Sequence, residues 1–169
     1  DRYCRYFHRS LTRKALLYTE MVVARTVIEA YKRGDLSKYL AFDAFEKPLA
    51  LQLGGSNPKE LTEASKIAMQ YDYDEINLNV GCPSDRVQSG RFGVCLMKEP
   101  DVVAECMAEI GKSVDIPISV KTRIGVDQND SEEFLINFIK TVSNAGVNNF
   151  IIHARKAWLK GLNPAQNRN

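Results

Sequence analysis

Glu75-Ile-Asn-Leu-Asn-Val-Gly-Cys-Pro-Ser-Asp-Arg-Val-Gln-Ser-Gly-Arg-Phe-Gly93 is the stretch on which the fold turns. Its first half alternates apolar and polar residues, the period of a β-strand, so Asn77, Asn79 and Gly81 share one face. Gly81 allows a close backbone turn, and Pro83 prevents strand pairing from continuing. The strand therefore closes on a turn that presents Cys82.

Four further apolar runs read as strands: LLYTEMV from Leu16, PLALQLGG from Pro48, IPISVKTRIG from Ile116 and FIIHAR from Phe150. Between them, Val102, Val103, Cys106, Met107 and Ile110, and then Phe134, Leu135, Phe138, Ile139 and Val142, recur at helical spacing. Asn57, Pro58 and Glu60 supply an N-cap, an N1 proline and an N3 carboxylate. Asp130 with Glu133 repeats that signal, and Gly146 stands where the later helix should end. Strand and helix alternate in βα units, with no linker or low-complexity stretch between them.

Such units build either a doubly wound sheet or a (β/α)8 barrel. Each strand ends in polar side chains: Glu20, Gln52, Asn77 and Asn79, Lys121 and Arg123, His153 and Arg155. In a barrel these ends meet at one mouth, whereas an open sheet strings them along an edge. The pattern predicts a barrel whose mouth binds a polar ligand, because unpartnered charges there are costly to bury.

With 44% hydrophobic and 26% charged residues, the chain has the composition of a globular protein with a core. A net charge of +2 is too small to signal nucleic-acid binding by itself. Arg2, Arg5, Arg9, Arg13 and Lys14 make the opening segment locally basic, and it reads as a solvated helix face. The cysteines at positions 4, 82, 95 and 106 form no CxxC pair and lack zinc-finger histidines, so no disulfide framework or metal site is expected. No apolar run is long enough to span a bilayer. Cys95 and Cys106 read as small buried hydrophobes, but the Cys82 loop is a different setting. A thiol of ordinary pKa near 8.5 can donate a proton or attack as a thiolate, and the residues alone leave both roles open.

Taken with LALQLGG before it and SVKTRIG and FIIHARKAWLKGLNPAQNR after it, the quoted stretch resembles the tRNA-dihydrouridine synthase family, most closely its A-type branch. The resemblance covers essentially the whole chain. It implies an FMN-binding TIM barrel in which Gln52, Lys121 and His153 contact FMN and Asn79 lies where flavin and uracil meet. Cys82 falls on the proton donor. The implied reaction is reduction of FMN by NADPH, hydride transfer to C6 of a D-loop uridine near position 20, and protonation of C5 by Cys82.

The target base must leave its stack to reach such a mouth. The loop SDRVQSGRFG would cover the site, with Arg86 and Arg91 available for phosphates, and Trp158 reads as packing its own loop. Arg168 matches a tRNA-contact position of the branch, while the neighbouring contact falls on Ala165, which cannot make a charge-assisted bond. The resemblance places residues 1–169 at about strands two to six of the barrel. The first strand, the last two strands and a C-terminal helical tRNA-binding domain are then expected outside the chain, and the 169 residues alone should bind FMN weakly and not turn over. The full-length enzyme is expected to be monomeric and cytoplasmic, or organellar if a transit peptide precedes it. The alternatives are another FMN barrel acting on a small molecule, against which HARKAWLKG argues, and a non-catalytic RNA-binding relative.

Overall fold

The computed structural model describes residues 1–163 and 165–168. Six parallel strands form one sheet: β1 (Leu17–Tyr18), β2 (Val22–Val23), β3 (Leu49–Gly54), β4 (Glu75–Val80), β5 (Ile118–Arg123) and β6 (Asn149–His153). Their spatial order follows the chain, β1-β3-β4-β5-β6, with β2 also paired to β3. A doubly wound sheet would reverse direction at a switch point, and this one does not. It is an open part of a barrel wall, flanked by helices.

The predicted first strand is split in two. Tyr18 pairs with Ala50 and Val22 with Leu53, so Thr19, Glu20 and Met21 lie opposite only Leu51 and Gln52. One extra residue is a bulge, which re-aims side chains. Glu20 accordingly leaves the mouth predicted for it and meets Arg5, at 2.7 Å.

The helices are α1 (Arg2–Leu11), α2 (Ala24–Arg33), α3 (Ser37–Leu40), α4 (Pro58–Ala68), α5 (Asp85–Ser89), α6 (Pro100–Gly111) and α7 (Glu132–Ser143). Asn57 caps α4 as expected, accepting from the N–H groups of Lys59 and Glu60. For α7 the cap is Ser131 rather than Asp130: Ser131 Oγ accepts the Phe134 N–H, while Asp130 is drawn to Lys156. Gly146 lies three residues beyond α7 at φ +94°, in the left-handed region expected of it. Its helix ends slightly earlier.

Residues in register on neighbouring strands share a face. Leu51, Leu53, Ile76, Leu78, Val80 and Val120 are fully buried on the outer face, in one cluster with Val27, Leu61, Met107 and Phe138 of the helices. The inner face is polar, with Gln52, Asn77 and Ser119 in one layer and Asn79 beside Lys121 in the next. Arg123 and His153 follow, nearest the C-terminal rim.

Helix α1 departs from the solvated reading. Arg5 and Arg9 are buried, Arg5 against Glu46 and Glu20, Arg9 against the backbone carbonyls of Glu46 and Pro48. Arg2, Arg13 and Lys14 are exposed, as are Tyr3, Phe7 and Leu11. A charge run cannot reveal which members find buried partners some forty positions away.

Candidate active site

The end of β4 is held from several sides. Asn79 Oδ1 accepts the N–H groups of Gly81 at 3.1 Å and Cys82 at 2.9 Å, which turns the chain out of the sheet. Arg123 Nε donates to the Gly81 carbonyl at 2.9 Å, and the Val94 N–H donates to the Cys82 carbonyl at 3.0 Å. Gly93 makes that last contact possible: it sits at φ +67°, and a Cβ there would lie 2.6 Å from the Cys82 oxygen. The backbone on both sides of Cys82 is thus fixed, leaving the half-buried thiol near the Ser84 hydroxyl at 3.4 Å. The stretch after it is helical rather than a plain loop, forming α5 and then a 3-10 segment, Gly93–Lys98.

Cys82 opens onto a cavity of about 510 Å³, a ligand-sized volume. Asn79, Lys121, Arg123 and His153 line it with Cys82, and Arg168 stands at its exposed side. Three strand ends, those of β4, β5 and β6, therefore meet where the polar pattern placed them. Gln52 lies a layer below, engaged with Asn79 and Asn77, and does not line the cavity. Arg86 and Arg91 are exposed on the neighbouring helical turn, outside the lining. Trp158 packs in its own loop, with Lys156 Nζ 4.3 Å above its ring.

The lining is electropositive, with Lys121, Arg123 and Arg168 against a single acid, Asp85. Among the described residues neither Lys121 Nζ nor the His153 ring has a hydrogen-bond or ion-pair partner, although Lys121 is half-buried. Burial, and then the charge of Arg123, lower the Lys121 pKa from its ordinary value. An unpaired, partly desolvated ammonium favours an anionic or electron-rich ligand.

His153 is pushed below its ordinary value of 6.5 by burial first and then by Arg123, Lys121 and Arg155. The ring is therefore neutral through a window in which an unfolded chain would already be protonated. Stability falls as pH drops from about 6.5 toward the native midpoint, because the unfolded state binds the proton first. NMR titration of the ring should give a midpoint under 6.5, moving up when Arg155 is replaced by Ala; a midpoint at or above 6.5 would contradict this environment.

Sequence reading did not single out Asn167. Its buried side chain exchanges hydrogen bonds with the Trp158 backbone, and its carbonyl accepts from Arg123 Nη1 at 2.8 Å. An asparagine in an irregular loop carries no periodic signal, whereas Arg123 shares strand parity with Lys121. Cys106 is fully buried, its thiol pushed up to about 12 by burial, and burial also raises Cys95. Both suit packing rather than chemistry. Among the described residues no group of His, Cys, Asp or Glu could hold a metal ion, and no helix is long and apolar enough to cross a membrane.

A family model described as dihydrouridine synthase matches residues 1–169. The tRNA-dihydrouridine(20/20a) synthase of Vibrio cholerae is 60% identical over 169 residues, covering 99% of this chain and 50% of that protein. The protein of the same name from Synechocystis is 55% identical over 168 residues, covering 99% of this chain and 49% of its own length. The chain spans about half the length of the curated relatives it matches.

Proposed function

This chain belongs to the dihydrouridine synthase family, and from that premise we propose that the full-length protein reduces a uridine of the tRNA D-loop, at the 20/20a positions in the relatives' names, to 5,6-dihydrouridine. The observation that carries the reading is the placement of Cys82, on a fixed backbone, at a cavity shared with Asn79, Lys121 and His153. FMN, recharged by NADPH, would supply the hydride for C6 of the uracil. The residues present fit such a group. Lys121 offers an ammonium without a partner among the described residues for negative charge on a reduced ring, His153 offers a neutral imidazole, and Gln52 supports from beneath Asn79.

Cys82 acts as the acid. Its thiol gives a proton to C5 as the hydride reaches C6, and the proton is restored from solvent through the open side of the cavity. Asn79 turns the Cys82 loop with its oxygen while its nitrogen donates to Gln52 beneath it, and as a cavity-lining residue it would lie where flavin and uracil meet. Arg168 at the rim, and exposed Arg86 and Arg91 on the adjacent turn, would contact phosphates of a flipped-out nucleotide. Ala165, exposed in the same turn as Arg168, adds no charge to that contact.

The test is mass measurement of unmodified tRNA incubated with the full-length protein and NADPH, where a two-hydrogen gain is expected within the D-loop. NADPH oxidation without that gain would favour a small-molecule reductase built on the same barrel. Binding of tRNA with neither activity would favour a non-catalytic relative.

A further inference from the structure

A row of hydrogen bonds crosses the inside of the sheet, from its N-terminal rim to the Cys82 loop. At the upper end, the N–H groups of Gly81 and Cys82 donate to Asn79 Oδ1. Asn79 Nδ2 donates to Gln52 Oε1 at 2.7 Å, Gln52 Nε2 to Asn77 Oδ1 at 2.8 Å, and Asn77 Nδ2 to Ser119 Oγ at 2.7 Å. Ser119 Oγ then donates to Glu75 Oε1 at 2.5 Å, an oxygen that also accepts from the Tyr18 hydroxyl at 3.1 Å.

Every link runs in the same sense, from the loop N–H donors at one end to the Glu75 carboxylate at the other. Backbone N–H groups can only donate, and a carboxylate can only accept. Glu75 is 5% exposed at the first residue of β4, four positions and so about 13 Å along the strand from Asn79. It is too far from the cavity to touch a ligand there, and burying a carboxylate is costly unless donors surround it. Burial, and then the charge of Glu75, raise the Tyr18 hydroxyl to about 12, so Tyr18 remains a donor.

We propose that Glu75 is a positioning residue: as the acceptor at the root of the row, it sets the direction of each amide in it and thereby the backbone that presents the Cys82 thiol. The catalytic consequence rests on the proposed role of Cys82 as acid; the geometric one does not. With the row reversed, Asn79 would turn its nitrogen toward the loop and leave the Gly81 and Cys82 N–H groups without their acceptor. The thiol would then lose the turn that aims it.

Three variants of the full-length protein separate this from a merely structural role. Glu75→Leu removes the root acceptor, Ser119→Ala breaks the last link, and Glu75→Gln keeps an oxygen able to accept from both Ser119 and Tyr18. The first readout is the rate of Cys82 alkylation by iodoacetamide, mapped by peptide mass and referenced to exposed Cys4. The second is kcat and KM for tRNA reduction. Glu75→Leu and Ser119→Ala should change the relative alkylation rate at least about threefold and lower kcat about tenfold with little change in KM, as expected for a misplaced catalytic group. Glu75→Gln should stay within about twofold of the parent in both measurements, because the row survives.

Parent-like alkylation in Ser119→Ala, or a Glu75→Gln variant as impaired as Glu75→Leu, would overturn the proposal. If Glu75→Leu fails to fold, Ser119→Ala and Glu75→Gln still decide it. A parent protein that does not reduce tRNA would sink the functional reading, while the alkylation rates would still test the role of Glu75.

Discussion

Cys82→Ala in the full-length protein is expected to lower the rate of uridine reduction by about 10²- to 10⁴-fold, the range for loss of a positioned general acid, while tRNA binding persists. The contacts that fix the loop support this separation. Asn79 holds the Gly81 and Cys82 N–H groups, Arg123 the Gly81 carbonyl and Val94 the Cys82 carbonyl. All are backbone contacts, and alanine keeps them. Among the described residues the side-chain hydrogen bond lost is the 3.4 Å approach of Sγ to Ser84, together with the apolar contact of one sulfur atom. Cations at the cavity, Lys121, Arg123 and Arg168, also remain. Single-turnover measurement of dihydrouridine formation, beside a tRNA binding titration, checks both halves. Unaltered turnover would remove Cys82 from the mechanism, and joint loss of binding and turnover would give it a structural role instead.

The features legible in the sequence were those that depend on local period. Alternation along EINLNV and SVKTR put Asn79 and Lys121 on the inner face, and the recurrence of polar strand ends correctly anticipated their meeting with His153. The Asn57 cap was equally local, since donor and acceptor lie within three residues. The Glu20 prediction failed because one extra residue in the pairing of β1 and β2 with β3 reverses where a side chain points, and that insertion is visible only in register. Asp130 lost the cap to Ser131 because Lys156 competes for its carboxylate at 2.5 Å, a contact spanning 26 positions. The Glu75 row was hidden for a similar reason. Each member is an ordinary polar residue on its own strand, and only the parallel register stacks them.

The buried arginine of α1 sets up the second large effect. Arg5→Met is expected to destabilise the full-length protein by on the order of 3 to 5 kcal/mol, seen as a lower urea midpoint, because it strands a buried carboxylate. Glu46 is 1% exposed, and its Oε2 faces Arg5 Nε at 2.5 Å, while Oε1 already accepts the Asp43 N–H. Removing Arg5 leaves one carboxylate oxygen with neither water nor a counter-charge. Glu20, 57% exposed, loses the same partner but can turn to solvent, so it adds little. The exposed pair Arg25–Glu29 is the control: its side chains are 73% and 53% exposed, and Arg25→Ala should cost no more than about 0.5 kcal/mol. Converting both partners, Arg5→Met with Glu46→Met, should recover most of the loss, since an apolar pair has no charge to strand. A single Arg5→Met variant as stable as the parent would show that water reaches Glu46 once the guanidinium is gone. The recovery in the double variant matters more for the fold, because Arg5 and Arg9 together fasten α1 to the segment that leads into β3. If the apolar pair restores stability, α1 is held there by complementary shape once the charges balance, and the arginines decide only which face of the helix turns inward.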